Sequence, residues 1–552
     1  MPPSTNSNLI SSPLSDFGFT RDLISGKDSA TAFLPDFGAD WDKLVARRKH
    51  GQFAPWQPHE IAELTDFNVE VGNDGGADLA RRLADPDCLA VVTGQQPNLF
   101  ASPMYNIFKA ISAVALAKQI AAESGRTVVP IFWVASDDHD FAELRDCFLP
   151  AGDGSLENLG DLVSRGDRNQ PGSPAYTWDV TGAAPRLVAA LIRLIPDGPE
   201  KARNMTTLAA ALAPDASFET LFCRLMAIWM RKQPMILVAP RLRAMRRRQV
   251  AILKRDLELG DRPARFLAES GRRMEAAGYE ALLQRDPALA NFFTLIDGQR
   301  CRLKREGGNF VAEQVATREP LGKFSQADLA KALEDCPANF SPNVVTRPMV
   351  QDSALPTVAY VGGPGEVAYL AQLRSVYPEF GVAPSAVRPR VFATVVDRTT
   401  AAFFREEKIS PTDATNTETI REHLAGLDSV MAPMLSGIAS LESQLKAARR
   451  ALEHTDAAAN PHVEVALQKT FRTMDDALAK FRARLLRQGP AANNLKWQAL
   501  TRASAILSPR GLPQERILSP VAFAGEIPME GLGEHIAGKI APETLDPQVL
   551  EI

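Results

Sequence analysis

Cysteine is scarce in this chain, and its spacing pairs with nothing. The five (Cys88, Cys147, Cys223, Cys301 and Cys336) are scattered, odd in number and form no C-x-x-C. That argues against a disulfide framework or zinc site and for a reducing, cytoplasmic setting. Each reads as a buried structural thiol, with a catalytic thiol as the alternative. Long apolar runs are also lacking: none approaches the roughly 18–20 residues of a membrane span. The opening stretch MPPSTNSNLISSPLSDFGF has neither the charged nor the apolar region of a signal peptide. Excess charge is missing as well. A net charge of −4 over 552 residues gives no electrostatic reason for a nucleic-acid partner. What remains is 45% apolar and 23% charged, the composition of a globular protein long enough for two or three domains.

Residues 91–140 carry the most information. Cys88 to Val92 is a short apolar run that breaks at Thr93-Gly94-Gln95-Gln96. A helix is expected from Ser102 as N-cap and Pro103 at its first position. Ile107, Ile111, Val114 and Lys118 continue it at helical spacing until Gly125 stops it. Thr127 to Ala135 is a second apolar run, ending in Ser136-Asp137-Asp138-His139-Asp140. A crossover of this length makes the two strands parallel. Ligands of open parallel sheets bind beyond the carboxyl ends of the strands, so both polar clusters belong on one rim.

The α/β pattern continues after a Gly/Pro/Asp-rich passage (151–173), with a helix over 218–230 and a strand over 234–238. Residues 291–312 alternate and are broken by Asp297-Gly298 and Gly307-Gly308, the pattern of an inserted antiparallel meander. A strand then runs over 356–361, followed by a Gly362-Gly363-Pro364-Gly365 bend and a helix over 366–376. The bend is neither G-x-G-x-x-G nor a Walker A, and reads equally as a structural turn or a ligand cradle. Residues 391–396 are expected as the last strand of the sheet. From Ile420 the apolar positions Leu424, Leu427, Met431, Met434, Ile438, Leu441, Leu445, Ala448 and Leu452 alternate spacings of four and three. After Asn460-Pro461 a second seam runs from Leu467 through Phe471, Met474, Leu478 and Phe481 to Leu485. Two heptad helices of ~50 Å each, joined by a short turn, make an antiparallel arm that needs a partner, most simply a second copy. The expected organisation is therefore a Rossmann-like α/β core over 1–395, with insertions at about 151–215 and 260–335. The coiled-coil arm follows over 396–490, and 491–552 returns to the core.

At the rim, four consecutive residues leaving a strand point alternately, so the carboxylates of Asp137, Asp138 and Asp140 are not expected to converge on a metal. Polar recognition and proton transfer by Asp138, His139 and Asp140 fit better, although one of them is expected to cap the next helix. Gln95 and Gln96 suit sugar hydroxyls, amides and carboxylates. Lys109 either reaches the rim or is solvated. The second rim offers Asn343, Arg347, Gln351, Asp352, Tyr360, Glu366 and Tyr369, with Arg347 either holding an anion in two-pronged fashion or forming a structural bridge. The basic run 241–248 reads as a solvated helix face, or as help in holding an anionic ligand.

Three segments, VVTGQQPNLFASPMYNIFKAISAVALAKQ, VPIFWVASDDHDFAEL and SPNVVTRPMVQDSALPTVAYVGGPGEVAYLAQL, closely resemble the cysteine-adding enzymes of bacillithiol biosynthesis, the cysteine ligases. The similarity extends through the heptad region to Gly511-Leu512-Pro513-Gln514-Glu515-Arg516-Ile517. The resemblance implies a Rossmann-type core with connecting insertions, an arm that forms a homodimer, and amide formation between the cysteine carboxyl and the amine of glucosaminyl malate. It also implies site roles for Thr93-Gly94-Gln95-Gln96, Asp138-His139-Asp140, Gln351-Asp352, Tyr360, Gly362 and Gly363. Asp137 stands where the family more often has glutamate, and Gly365 where alanine is frequent. Amide formation from a free carboxylate needs activation, so ATP is expected as co-substrate, yet the chain has neither an H-x-G-H nor a K-M-S-K-S motif. A metal-dependent phosphoesterase using 137–140, and a coiled-coil scaffold protein, are the alternatives.

Overall fold

A computed structural model describes residues 17–47, 53–163, 172–212, 215–409, 422, 425–426, 430–455, 460–488 and 495–552. Its centre is a sheet of five parallel strands: β1 (Leu89–Gln95), β2 (Val128–Val134), β3 (Ile236–Val238), β4 (Thr357–Gly362) and β5 (Ala386–Pro389). They lie in the order β5-β4-β1-β2-β3. β1 and β4 are buried throughout except for Gln95 at the carboxyl end of β1. That is why they read as unbroken apolar runs rather than alternating ones. The helix α1 (Tyr105–Ser124) joins β1 to β2 and closes on Gly125 in the left-handed conformation, with φ 67°. Ile107, Phe108, Ile111 and Val114 bury its inner face.

Several expectations are corrected here. α1 starts at Tyr105; the chain before it forms a 3-10 turn, Leu99–Ala101, in which Phe100 and Ala101 have positive φ. The Met104 N–H is donated to the Leu518 carbonyl at 2.8 Å, and the Asn106 amide bonds the carbonyls of Ala101 and Ser102. Tertiary partners thus override the local cap signal. Residues 393–396 are not the last strand of the main sheet. Ala393–Val396 pairs in parallel with Gln548–Glu551, where the Gln514 side chain brackets Val395 N–H and C=O. Cys88, Cys147, Cys223 and Cys301 are buried, whereas Cys336 is exposed just beyond a helix end.

The meander is present and larger than its sequence pattern suggested. Leu289–Ile296, Gln299–Glu306, Asn309–Gln314 and Pro320–Ser325 form an antiparallel sheet, with Phe340–Pro342 added at its other edge. Asp297 and Gly298 both have positive φ (50° and 75°), as a tight two-residue hairpin turn requires. The helices α2 (Phe218–Trp229), α3 (Arg243–Arg248), α4 (Thr346–Ala354) and α5 (Pro364–Leu373) complete the surroundings of the sheet.

After α6 (Arg398–Glu406) the chain forms α7 (Met431–Glu453) and α8 (Pro461–Gln488), and returns through α9 (Leu495–Leu507), which packs on α6. At 1.5 Å per residue the two arm helices are about 35 and 42 Å long, and Ile420, Leu424 and Leu427 of the expected first seam lie outside the described residues. Ile438 and Phe471 are buried within the hairpin, whereas Met434, Leu441, Leu452, Met474 and Phe481 stay exposed. The seam is therefore only half covered by the two helices. The arm's roots are tied together by an ion pair between Lys496 and Glu407 at 2.7 Å.

Candidate active site

Strand order reverses direction at β1. The chain steps from β1 to β2 and β3 on one side, then returns to lay β4 and β5 on the other. Such a switch point leaves a crevice beyond the carboxyl ends of the two strands that flank it. A cavity of about 620 Å³ occupies it. From the β1 and β2 ends come Gly94, Gln95, Gln96, Asp138 and His139. Arg347, Tyr360, Gly363, Glu366 and Tyr369 come from the second rim. The two rims expected from the sequence thus face one hollow.

Five of the expected residues lie elsewhere. Thr93 is buried within the sheet, its hydroxyl donating to the Val361 carbonyl at 2.8 Å. Gly362 gives its carbonyl to the Arg390 N–H at 2.9 Å. Asp352 is buried behind the wall, where it accepts from the Tyr377 hydroxyl (3.1 Å) and the Ser385 N–H (3.0 Å). Gln351 links Asp352 to Arg347, so this pair orients the wall without lining it. Asp140 caps the short helix Phe141–Leu144 by accepting from the Glu143 N–H at 3.1 Å, and is absent from the cavity wall.

Lys109, from the second turn of α1, is the buried hub of the site. Its ammonium donates to the Gly94 carbonyl (2.8 Å) and the Gln95 side-chain oxygen (2.7 Å), and pairs with Glu366. Glu366 also accepts from the Tyr360 hydroxyl (2.7 Å) and the Gly363 N–H (2.8 Å). Burial alone would raise the Glu366 pKa, but Lys109, Tyr360 and Gly363 outweigh it and hold the carboxyl below its usual range. The pair is ionic. Glu366 takes the Gly363 N–H, so the amino end of α5 already holds a carboxylate, while Gly363, Pro364 and Gly365 line the cavity. Gly94 is required for close approach: a Cβ there would meet the Trp133 carbonyl at 2.7 Å.

Gln95 is fully committed. Lysine only donates, so the Gln95 oxygen faces Lys109, and its Nε2 reaches Gln96 Oε1 (2.5 Å) and the Tyr105 hydroxyl (3.0 Å). Gln96 in turn donates to Asp138 at 3.2 Å. Asp137 is locked to Arg246, with a second contact at 3.0 Å. The basic run is therefore not a solvated face. Arg241 pairs with Glu219, Arg246 with Asp137 and Arg248 with Glu60. The carboxylates of 137–140 part toward Arg246, Gln96 and a helix cap. Among the described residues, no group of three or more His, Cys, Asp or Glu is arranged to hold a metal ion.

His139 Nδ1 lies 3.1 Å from an Arg300 nitrogen. A guanidinium only donates, so Nδ1 accepts, and the neutral ring carries its proton on Nε2. Burial and the Arg300 charge lower the His139 pKa, against the opposing pull of Asp138. The ring is a donor poised on the cavity, with no free nitrogen to take a proton. Arg300 itself is buried and stacked 3.8 Å over Phe293.

Two matches place this geometry. Residues 25–391 match the model described as "Bacillithiol biosynthesis BshC, N-terminal Rossmann-like domain", and 393–537 the corresponding C-terminal coiled-coil domain. The chain belongs to the BshC family. Relatives carrying the name "Putative cysteine ligase BshC" include one from Chlorobaculum tepidum, 30% identical over 94% of both chains. Another, from Salinibacter ruber, is 32% identical over 72% of both chains. A third, from Bacillus velezensis, is 26% identical over 90% of this chain and 91% of its own length.

In this BshC-family chain, sequence reasoning missed the residues that distant segments bring to the cavity. Arg285, Phe293 and Arg300 come from the meander side, and Arg390, Glu515 and Arg516 from beyond the sheet and the arm. Glu515 and Arg390 form a buried ion pair at 2.6 Å, and Arg516 stacks over Phe17 at 4.9 Å. The run Gly511–Ile517 offered a signal, three consecutive polar residues inside an apolar stretch. Arg300 offered none, since Arg302 and Lys304 share its strand and its alternation.

Proposed function

We propose that the protein is a carbon–nitrogen ligase of bacillithiol biosynthesis, joining the carboxyl of cysteine to the glucosamine amine of glucosaminyl malate at the expense of ATP. The observation that carries this reading is the presence of both signs of charge around one cavity. Arg285, Arg300, Arg347 and Arg516 line it, and none is in ion-pair contact with a carboxylate among the described residues. Asp138, Glu143 and the donor face of His139 stand at the same opening. Anions such as malyl carboxylates or phosphates suit the arginines, and an amine and sugar hydroxyls suit the carboxylates and the His139 donor. ATP, when bound, supplies a leaving group on the cysteine carboxyl. The chain's own part is to hold the two substrates in contact, which can contribute several powers of ten in rate.

The exposed half-seam of the arm supports a homodimer formed through α7 and α8. No described helix is long and apolar enough to cross a membrane. Incubating the purified protein with cysteine, glucosaminyl malate and ATP is expected to give a product of bacillithiol mass, and omitting ATP to abolish it. No product with any nucleotide or metal, together with unchanged thiols in a deletion strain of a producing organism, would overturn the reading.

A further inference from the structure

Among the described residues, five acidic side chains line the cavity: Asp137, Asp138, Glu143, Glu366 and Glu515. Four are committed. Asp137 is locked to Arg246, Glu366 to Lys109, and Glu515 to Arg390. Asp138 accepts from Gln96 and from the backbone N–H of His139 at 2.6 Å. The Glu143 carboxyl has no hydrogen-bond or ion-pair partner among the described residues, while its backbone is fixed at both ends. Its N–H is donated to Asp140, and its carbonyl accepts from Asn98 at 3.3 Å. The remaining base at the rim, His139, offers only Nε2–H.

From this elimination, and resting on the ligase reading above, we infer that Glu143 is the catalytic proton acceptor for the attacking amine. The nitrogen lone pair attacks the activated cysteine carboxyl carbon and the C–N bond forms. One nitrogen proton passes to a Glu143 oxygen. The acyl C–O bond to the phosphate-bearing leaving group breaks, and its electron pair departs with that group. Glu143 then returns the proton to solvent through the cavity mouth.

Its surroundings suit the task. Glu143 is exposed at the cavity mouth, and partial desolvation together with the carboxylates of Asp138, Asp140 and Asp146 on its own segment raises its pKa above the ordinary range. Tyr105 faces it from α1, and its hydroxyl is itself pushed up by burial, Glu366 and Glu143. Glu515 and Arg516 face the same cavity from the C-terminal segment. A carboxylate displaced toward neutrality is a more effective base than an ordinary one.

The test compares wild type, Glu143→Gln and Glu143→Asp, each checked for an unchanged melting transition. With cysteine, ATP and glucosaminyl malate, E143Q is expected to lose kcat on the order of 100-fold with KM little changed. The acid limb of its kcat–pH profile should disappear, and E143D should keep part of the rate. A kcat near wild type, or an unaltered acid limb, would overturn the assignment. A second measurement does not depend on turnover: calorimetric binding of glucosaminyl malate alone across pH. Affinity should weaken on acidification in wild type and less so in E143Q. Identical pH dependences overturn the Glu143 role even if wild type makes no amide, an outcome that separately removes the ligase reading.

Discussion

A lysine with every proton spoken for is a structural statement. Lys109 bridges β1 to the α5 bend, and replacing it by methionine strands the Glu366 carboxylate in a protein interior. Breaking a buried pair from one side costs about 3–5 kcal/mol. Lys109→Met should therefore lower the midpoint of chemical denaturation sharply, and Lys109→Met with Glu366→Gln should recover much of the loss. The sign with pH follows from the depressed Glu366 pKa. Its contribution is fully present above the carboxyl's unfolded pKa and is lost as pH falls through the folded one. Wild type should thus lose more stability on acidification than the double variant. His139 also has a lowered pKa, so its contribution is present above the unfolded pKa and falls away below the folded one. Removing the neighbouring charge with Arg300→Gln should raise the His139 titration midpoint, read from its ring-proton NMR shifts. An unmoved midpoint would contradict the hydrogen bond to Nδ1.

Elements were more legible than partners. The β1–α1–β2 unit, the meander and the arm follow from periodicity and breakers, because those signals are local. The start of α1 was misplaced because Leu518, more than 400 residues away, claims the Met104 N–H. The basic run around α3 was misread because Asp137, Glu60 and Glu219 lie in three other elements. At the site, Gln95 and Glu366 were legible as cavity residues, but their roles were not, since Lys109 was the only sequence clue to what fixes them. Gly94 shows how tightly β1 and β2 approach. Gly94→Ala forces its Cβ against Trp133 and is expected to cost roughly 1–3 kcal/mol, measured by thermal melting. It should also reduce turnover by displacing Gln95.

Among the described residues, the half-covered seam leaves a row of large apolar side chains exposed. Leu441→Glu with Phe481→Glu alters exposed positions and should convert a dimer to monomer in sedimentation while leaving the core's melting transition in place. Ile438→Glu, by contrast, places a charge between α7 and α8 and should unfold the arm itself. Identical sedimentation of wild type and the exposed-face variant would show that the arm does not join two copies.

The ion pair between Lys496 and Glu407 has a consequence for how this gene can be cut. Because the arm leaves and re-enters at neighbouring points, it is an excursion spliced into a single folding unit. Bridging 409 to 495 with a few glycines and serines should yield a stable, armless enzyme body. A stop codon at 409 should not: it strips the partner strand from Ala393–Val396, strands the Arg390 guanidinium and opens one side of the cavity.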